Sequence, residues 1–356
     1  MSVLKPLAGV DDDLEENLAS FARLDYPSFE ILLGAASASD PAFGAARRFI
    51  ADHPELDARL VVTDPNAAMN PKVAQLIDLD RAATGEVCVI SDSNVRVAPG
   101  YLWSLVSELR DEHVGIVTNL FAGNGERTLG AALENLQLCA ATTPGLAAVD
   151  VVSNAPFTVG KSMALRRRDL ARLGGFEAVG HVLAEDFVLG RKVLEAGLAA
   201  RTSFHVVENR NVDGTVGRTF DRHTRWAKMR RSLRPKTFAA EMIMTPIAVA
   251  TVALLLAPCK ATAALLAGIA CFQTACAMLS VRLLRGRSLA WWYAPLEVVR
   301  SYLVLLAWMA AWANNRIAWR GHPFLLRRGS VIVPITAGAG ERGSGEQSAG
   351  HGRLAA

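Results

Sequence analysis

An α/β domain on a mostly parallel sheet, followed by an apolar helical region, is the architecture this 356-residue sequence predicts. Three observations predict it. Short β-rich runs alternate with helix-like stretches over the first third of the chain. Charge is distributed unevenly from end to end. Two long runs, 242–259 and 261–281, hold no formal charge. Apolar residues make up 51% of the chain and charged residues 20%. That composition excludes a disordered or collagen-like chain and argues against a purely water-soluble protein.

The β-rich runs are SFEILLG (28–34), DARLVV (57–62), EVCVIS (86–91) and VGIVTN (114–119), and the chain opens on a further one, VLKPL. Helix-like stretches lie between them near 41–53, 72–84 and 98–111. Strands alternating with helices imply βαβ units. Ligands of such sheets bind beyond the carboxyl ends of the strands. Two of those ends lead to an acid, Asp40 after the first run and Asp92 after the third.

Before Thr237 the chain holds 27 Lys/Arg against 30 Asp/Glu, and from there on 11 against 4. Residues 210–236 alone hold nine basic and two acidic residues, whereas residues 1–209 hold 18 and 28. An acidic body (1–209) therefore meets a basic collar (210–237), and the collar meets the apolar segments (238–313). Such a collar reads first as attraction to anionic lipid, and the acidic body argues against nucleic acid as a partner. The runs 242–259 and 261–281 approach the ~20 residues that cross a bilayer, and read as a transmembrane hairpin turning at Pro258, Cys259 and Lys260. Basic residues before the first run, and Arg282, Arg285 and Arg287 after the second, place the body on the cytoplasmic side of a multi-pass inner-membrane protein. A third segment, 289–313, contains Glu297 and Arg300. It predicts a re-entrant or interfacial helix that keeps 314–336 cytoplasmic; a full crossing is the alternative. The Gly/Ser/Ala-rich tail, 337–356, predicts disorder. No signal peptide is visible at the start. Five scattered cysteines form no C-x-x-C pair, which argues against a zinc site.

Four chemistry-bearing elements occur in order: Ser39-Asp40-Pro41, Ser91-Asp92-Ser93-Asn94, Ala184-Glu185-Asp186, and Arg222-His223-Thr224-Arg225-Trp226. Lys72, in Asn70-Pro71-Lys72, is a candidate for diphosphate charge or an ordinary helix-start lysine. Gly160-Lys161-Ser162 imitates the end of a phosphate-binding loop, but Ala155 stands where that loop needs glycine.

The order Asp, Asp, Glu-Asp, R-x-x-R-W resembles the GT-A glycosyltransferases that use nucleotide sugars, of the family 2 and 21 type. Within them the chain is similar to the ceramide glucosyltransferase family and its bacterial relatives. The similar stretches are VLKPLAGVDDDLEENL, LDYPSFEILLG, Asn70-Pro71-Lys72, ISDSNVRV, GKSMALRRRDLARLGGF, LAEDFVLGRKV, RHTRW and WRGHPFLLR, spread over about residues 3–330.

The resemblance implies a GT-A domain followed by membrane-embedded helices. It implies glucose transfer from UDP-glucose to ceramide with inversion; another lipid such as a hopanoid or diacylglycerol, or another UDP-sugar, is the alternative. A polysaccharide synthase and a non-catalytic membrane module are weaker readings. Asp40 corresponds to the acid near the nucleotide base. Asp92 corresponds to the ligand of Mg²⁺ or Mn²⁺, hard ions suited to carboxylate and phosphate oxygens. Asn94 departs from the usual Asp-x-Asp and offers a neutral oxygen. Asp186 corresponds to the general base, with Glu185 beside it, and Arg222, Arg225 and Trp226 close over the donor. Family members often carry an amino-terminal span that this sequence does not display.

Overall fold

The computed structural model describes residues 1–153, 157–243, 245–319 and 322–335. The predicted alternation is present: β1 (Ser2–Leu7), α1 (Leu14–Phe21), β2 (Glu30–Ala35), α2 (Pro41–Asp52), β3 (Ala58–Val62), α3 (Pro71–Ala82), β4 (Val87–Ser91), β5 (Val95–Arg96), α4 (Tyr101–Leu109) and β6 (Val114–Asn124). Helix α5 (Leu129–Gln137) runs through a π-helical turn (Leu138–Thr142) into α6 (Thr143–Ser153). Then come β7 (Ser162–Arg166), α7 (Arg167–Arg172), a 3-10 turn (Phe176–Val179), α8 (Glu185–Glu195), β8 (Ala199–Arg210) and α9 (Val216–Leu233).

Among the described residues, eight strands form one sheet in the order β3-β2-β1-β4-β7-β6-β8-β5. The sheet is mixed rather than mostly parallel. β1, β2, β3 and β4 pair in parallel, as do β6 and β8. β7 enters between β4 and β6 against both, and β5 runs against β8. The crossover through α4 leaves that gap open for β7.

Side chains alternate between two cores, as the period of two along a strand requires. Val3, Ile31, Leu33 and Val89 face one core with α1, α2 and α4; Leu4, Leu32, Cys88 and Ile90 face the other with α3 and α8. Covering both faces directs any ligand to the strand ends.

The C-terminal region departs from two clean spans. After α10 (Pro235–Ala240) come α11 (Pro246–Leu256) and α12 (Lys260–Arg285). Helix α11 has 11 residues, about 16 Å at 1.5 Å per residue, roughly half a hydrocarbon core of about 30 Å. Pro246 opens it and Pro258 follows its end, so the 242–259 run cannot be one helix. Among the described residues only α12 is long and apolar enough to cross a membrane. Its last third is tied to the body: Ser280 Oγ donates to the Cys139 carbonyl at 2.7 Å, and Arg285 Nη1 lies 2.8 Å from Glu126 Oε1. Arg285 is thus a buried ion-pair partner rather than a free loop charge.

Helix α13 (Leu296–Ala310) packs against α9 and α5. Glu297 and Arg300 face inward, bonded to each other at 2.8 Å, with Gln273 and Gln137 as further partners. Beyond α13, β9 (Arg316–Trp319), β10 (His322–Leu326) and β11 (Ile332–Pro334) form a small antiparallel sheet. It returns to the body, where Ser330 accepts from Leu183 N at 2.8 Å through its carbonyl and from Ala184 N at 2.9 Å through Oγ. The tail 337–356, Ala155 and Arg320 lie outside the described residues.

Candidate functional site

The carboxyl end of β4, the loop before β7, the start of α3 and the start of α8 converge on one ammonium group. Asn70 caps α3, its Oδ1 accepting from Lys72 N and Val73 N, and Pro71 takes the first helical position, where no N–H is needed. Lys72 follows. A cation at a helix N-terminus opposes the helix dipole, and here three carboxylates offset that cost. Lys72 Nζ lies 2.8 Å from Asp92 Oδ1 and 3.1 Å from Glu185 Oε1, donates to the Gly160 carbonyl at 3.0 Å, and has Asp186 nearby. Burial works against the Lys72 charge, but Asp92, Glu185 and Asp186 outweigh it and hold its pKa above the ordinary lysine value. Asn70 also donates to Glu185 Oε2 at 3.3 Å, so the cap residue orients a site acid.

Asp92 continues from β4 and faces a second cation. Lys161 Nζ lies 3.3 Å from Asp92 Oδ2 and 3.1 Å from Asn94 Oδ1. Burial pushes the Asp92 carboxyl up, yet the two lysines hold it well below the usual carboxylate range. Lys161 itself is lowered by desolvation, which Asp92 only partly offsets.

Asp186 sits in the first turn of α8, half-buried. Its Oδ1 accepts from Phe187 N and its Oδ2 from Gly160 N, both at 2.7 Å. A Cβ on residue 160 would stand 2.7 Å from Lys72 Nζ, so glycine there permits the approach of loop, lysine and acid. Burial first, then the Glu185 charge, raises the Asp186 pKa to about 6, with Lys72 and the two backbone bonds opposing. A carboxylate poised there accepts a proton near neutral pH.

Behind Asp92 lies Lys5, fully buried in β1. Its Nζ donates to the Asp92 carbonyl at 2.9 Å and Ser91 Oγ at 3.3 Å and stands 4.1 Å from the Phe21 ring centroid. Desolvation lowers its pKa to about 7, against Asp92 and Asp11. Asp40 stands apart from this cluster. It caps α2, its Oδ1 accepting from Ala42 N at 2.8 Å and from Gly9 N at 2.9 Å, and so ties the loop after β1 to α2.

The collar is helix α9, started by Thr215 as N-cap. Arg222 and Arg225 line a cleft of about 940 Å³ with Ala8, Asp11, Arg218 and Trp319. Arg222 Nη1 donates to Glu134 Oε1 and Asn211 Oδ1, each at 3.1 Å. Arg225 Nη1 reaches the Ala318 carbonyl at 3.5 Å. Trp226 is half-buried against the first core cluster, and the His223 ring meets it edge-on at 5.3 Å. Four further basic residues of the collar, read from the sequence as facing lipid, make protein contacts instead. Lys228 donates to Asn314 Oδ1 and the Arg316 carbonyl, Arg230 pairs with Glu241, Arg231 bonds Asn315, and Arg234 lies over the Phe187 ring. Lys228, Arg230 and Arg231 fasten α9 to the segments after it, and Arg234 reaches back to α8.

The geometry thus brings Lys72, Asp92, Glu185 and Asp186 together, and puts Arg222 and Arg225 on an adjoining cleft. It adds residues the sequence reading did not single out as site residues: Lys5, Asp11, Glu134, Lys161 and Ser330. Lys5 and Glu134 carried one available signal, a charge inside an otherwise apolar element.

For a divalent ion, the described residues contain no group of three or more His, Cys, Asp or Glu side chains placed to hold one. Asp92, with Asn94 beside it, offers one carboxylate and one amide oxygen. That donor set suits Mg²⁺, which is commonly held by one or two carboxylates with substrate phosphates and water supplying the rest. It does not suit a protein-caged metal.

The model of glycosyl transferase family 21 matches residues 1–332. Ceramide glucosyltransferase 1 of Caenorhabditis elegans is 30% identical over 242 residues, which cover 68% of this chain and 52% of that protein. The ceramide glucosyltransferase of Komagataella phaffii is 35% identical over 113 residues, covering 31% and 22%. The chain therefore spans about half the length, or less, of these curated relatives. A mannosyltransferase from Pyrobaculum calidifontis, solved in complex with GDP-Man and Mn²⁺, matches with a TM-score of 0.56 at 22% identity, covering 88% of this chain and 86% of that one. This likeness shows the GT-A fold. The chain belongs to glycosyl transferase family 21.

Proposed function

We propose that this family 21 chain transfers glucose from UDP-glucose to ceramide at a membrane surface, giving β-glucosylceramide. The observation that carries the reading is the Asp186 carboxylate, raised to about 6 beside a lysine-neutralised pocket at the strand ends. Lys72, Lys161, Arg222 and Arg225 supply positive charge for the donor diphosphate. Asp186 accepts the proton of the acceptor's primary hydroxyl as that oxygen bonds to the anomeric carbon. The bond from that carbon to the UDP oxygen breaks with inversion, and UDP leaves with the electron pair. Asp92 and Asn94 would hold Mg²⁺ or Mn²⁺, which offsets charge on the leaving diphosphate when bound. Asp40 lies near the base of the nucleotide, where it steadies the loop after β1. Trp226 packs behind the acceptor side of the cleft.

Ceramide is chosen because the curated relatives carry that name. Another lipid acceptor or UDP-sugar uses the same machinery. A lipid acceptor also accounts for the exposed apolar hairpin, where Leu255, Leu256, Leu265 and Phe272 are all open to the outside. The ties from Arg285 to Glu126 and from Ser330 to Ala184 support one arrangement: both ends of the hairpin, and the strands after α13, lie on the side of the catalytic body, which we place in the cytoplasm. Lipid mass spectrometry of a ceramide-producing host expressing the chain tests the reading. New hexosylceramide that yields glucose on hydrolysis is expected; a new glycolipid on another backbone, or none, overturns the acceptor assignment.

A further inference from the structure

Glu134 is a buried carboxylate outside the Lys72 cluster. It lies in α5, whose residues from Gly130 to Leu136 are all buried, and is itself 2% exposed. Its Oε1 accepts from Arg222, and its Oε2 stands 3.0 Å from His223 Nε2. Neither of those last two atoms has a hydrogen-bond partner among the described residues, so they face each other alone across that contact. Asn211, the second acceptor of Arg222, is bonded in turn to Asn135, the neighbour of Glu134 in α5, at 2.8 Å. His223 stands edge-on to Trp226. One carboxylate therefore bonds Arg222 directly and faces His223, whose ring packs on Trp226.

The contact points at a site as well as joining two helices. Glu134 and Arg222 line a small polar cavity with Asp11 and Asn94, and Arg222 and Asp11 also line the large cleft. A long arginine side chain left alone loses rotamer freedom when it meets a ligand. Fixed in advance by a buried acid and an amide, it meets the ligand at lower cost.

We infer that Glu134 is the positioning residue of the R-x-x-R-W helix, aiming Arg222 at bound donor without touching substrate itself. This rests on the reading that Arg222 faces the donor diphosphate. The test is a double-mutant cycle on the full chain in lipid nanodiscs, with UDP binding measured by calorimetry and a melting curve for every variant. Glu134→Ala and Arg222→Ala should each weaken UDP binding about tenfold, the scale of one charge-assisted hydrogen bond. The double variant should bind about as well as Arg222→Ala alone, because the acid acts through the arginine. Glu134→Gln keeps an acceptor for Arg222, should fall between wild type and Glu134→Ala, and serves in the same cycle if the alanine variant does not fold.

Binding by either Glu134 variant that equals or exceeds wild type overturns the inference, since the acid would then be competing for Arg222. A double variant whose loss is the product of the single losses also overturns it, because that is the signature of general structural damage. Failure of the wild-type chain to bind UDP removes the donor reading and this inference together, whereas an additive cycle on a binding-competent protein removes this inference alone.

Discussion

The Lys72 cluster and the α11–α12 hairpin answer opposite problems with the same chain. In the cluster, charges are held out of water and must find one another: Lys72, Lys161, Asp92, Glu185 and Asp186 are drawn from four separate stretches. In the hairpin, apolar side chains such as Val252, Leu255, Leu256, Leu265 and Phe272 are exposed rather than packed in a core. Among the described residues the polar side-chain ties from the hairpin to the rest of the fold are few: Thr251 to Tyr302, Gln273 to Glu297 and Ser301, Ser280 to Cys139, and Arg285 to Glu126. Stability and chemistry should therefore respond to charge changes in the first region and be nearly indifferent to side-chain truncation in the second.

The sharpest way to break that contrast is Asp186→Asn. Transfer should fall by about 10²–10⁴-fold, the usual scale of general-base catalysis, while UDP binding survives. In the wild type the rate should fall as pH drops through about 6, where the raised carboxyl takes up its proton. The variant should lack that limb. A pH profile of initial rates beside calorimetry with UDP checks both, and activity within about tenfold of wild type would remove Asp186 from the role.

Chelation comes next. EDTA should abolish transfer, Mg²⁺ or Mn²⁺ should restore it, and Asp92→Ala should lose the metal-dependent part of UDP binding. Full activity in chelator would assign all the diphosphate charge to Lys72, Lys161 and the arginines.

Lys72→Met tests the cluster as a structural unit. It leaves Asp92 and Glu185 partly buried without their shared cation, which should cost about 2–4 kcal/mol, read from denaturant unfolding. The sign of the pH dependence follows from Asp92, whose carboxyl is depressed in the fold. Its contribution is fully present above the ordinary carboxylate pKa of about 4 and is lost as pH falls toward the depressed value. The variant should keep only the part of that acid-side dependence that Lys161 sustains; an unchanged profile would mean the Lys72–Asp92 pair adds little to folding.

The smallest effect belongs to the hairpin. Phe272, 73% exposed, can be changed to Ala with a stability shift within about 0.5 kcal/mol. Vesicle partitioning should weaken by roughly tenfold, from the loss of one buried aromatic side chain. A large melting shift would mean that Phe272 packs on protein. Impermeant thiol reagents at the native Cys259, in the exposed turn, then ask whether the hairpin tip reaches the far side.

Much of the body was legible because its signals are local. Short, mostly continuous apolar runs pointed to β2, β3, β4 and the start of β6, and Asn70-Pro71 and Asp40-Pro41 are helix starts in plain sequence. SMALR and AARTSFHVVENR were not legible as strands, because Arg166 and Arg210 close them with a charge and Arg201 interrupts the second. Arg166 and Arg210 find their partners only after folding, Arg166 at the Val114 carbonyl and Asp169, Arg210 at Asp13. The two uncharged runs were visible as apolar; that one of them breaks at prolines into an 11-residue helix is a matter of backbone geometry.

By itself, then, the sequence determined which residue types stand at strand ends, the order of Asp40, Asp92, Glu185-Asp186 and R-x-x-R-W, and the division into acidic body, basic collar and apolar end. Those follow from composition and short-range periodicity. Only the tertiary structure decided that Lys72 would sit between Asp92 and Glu185, that Lys161 would share Asp92, that Glu134 would hold Arg222, and that Ser330 would return to brace Ala184. Apart from Lys72 and Asp92, which stand 20 positions apart, each of these pairs joins residues at least 69 positions apart. A charge written in the sequence does not say which distant charge will meet it once water is excluded, and burial sets both the partner and the pKa.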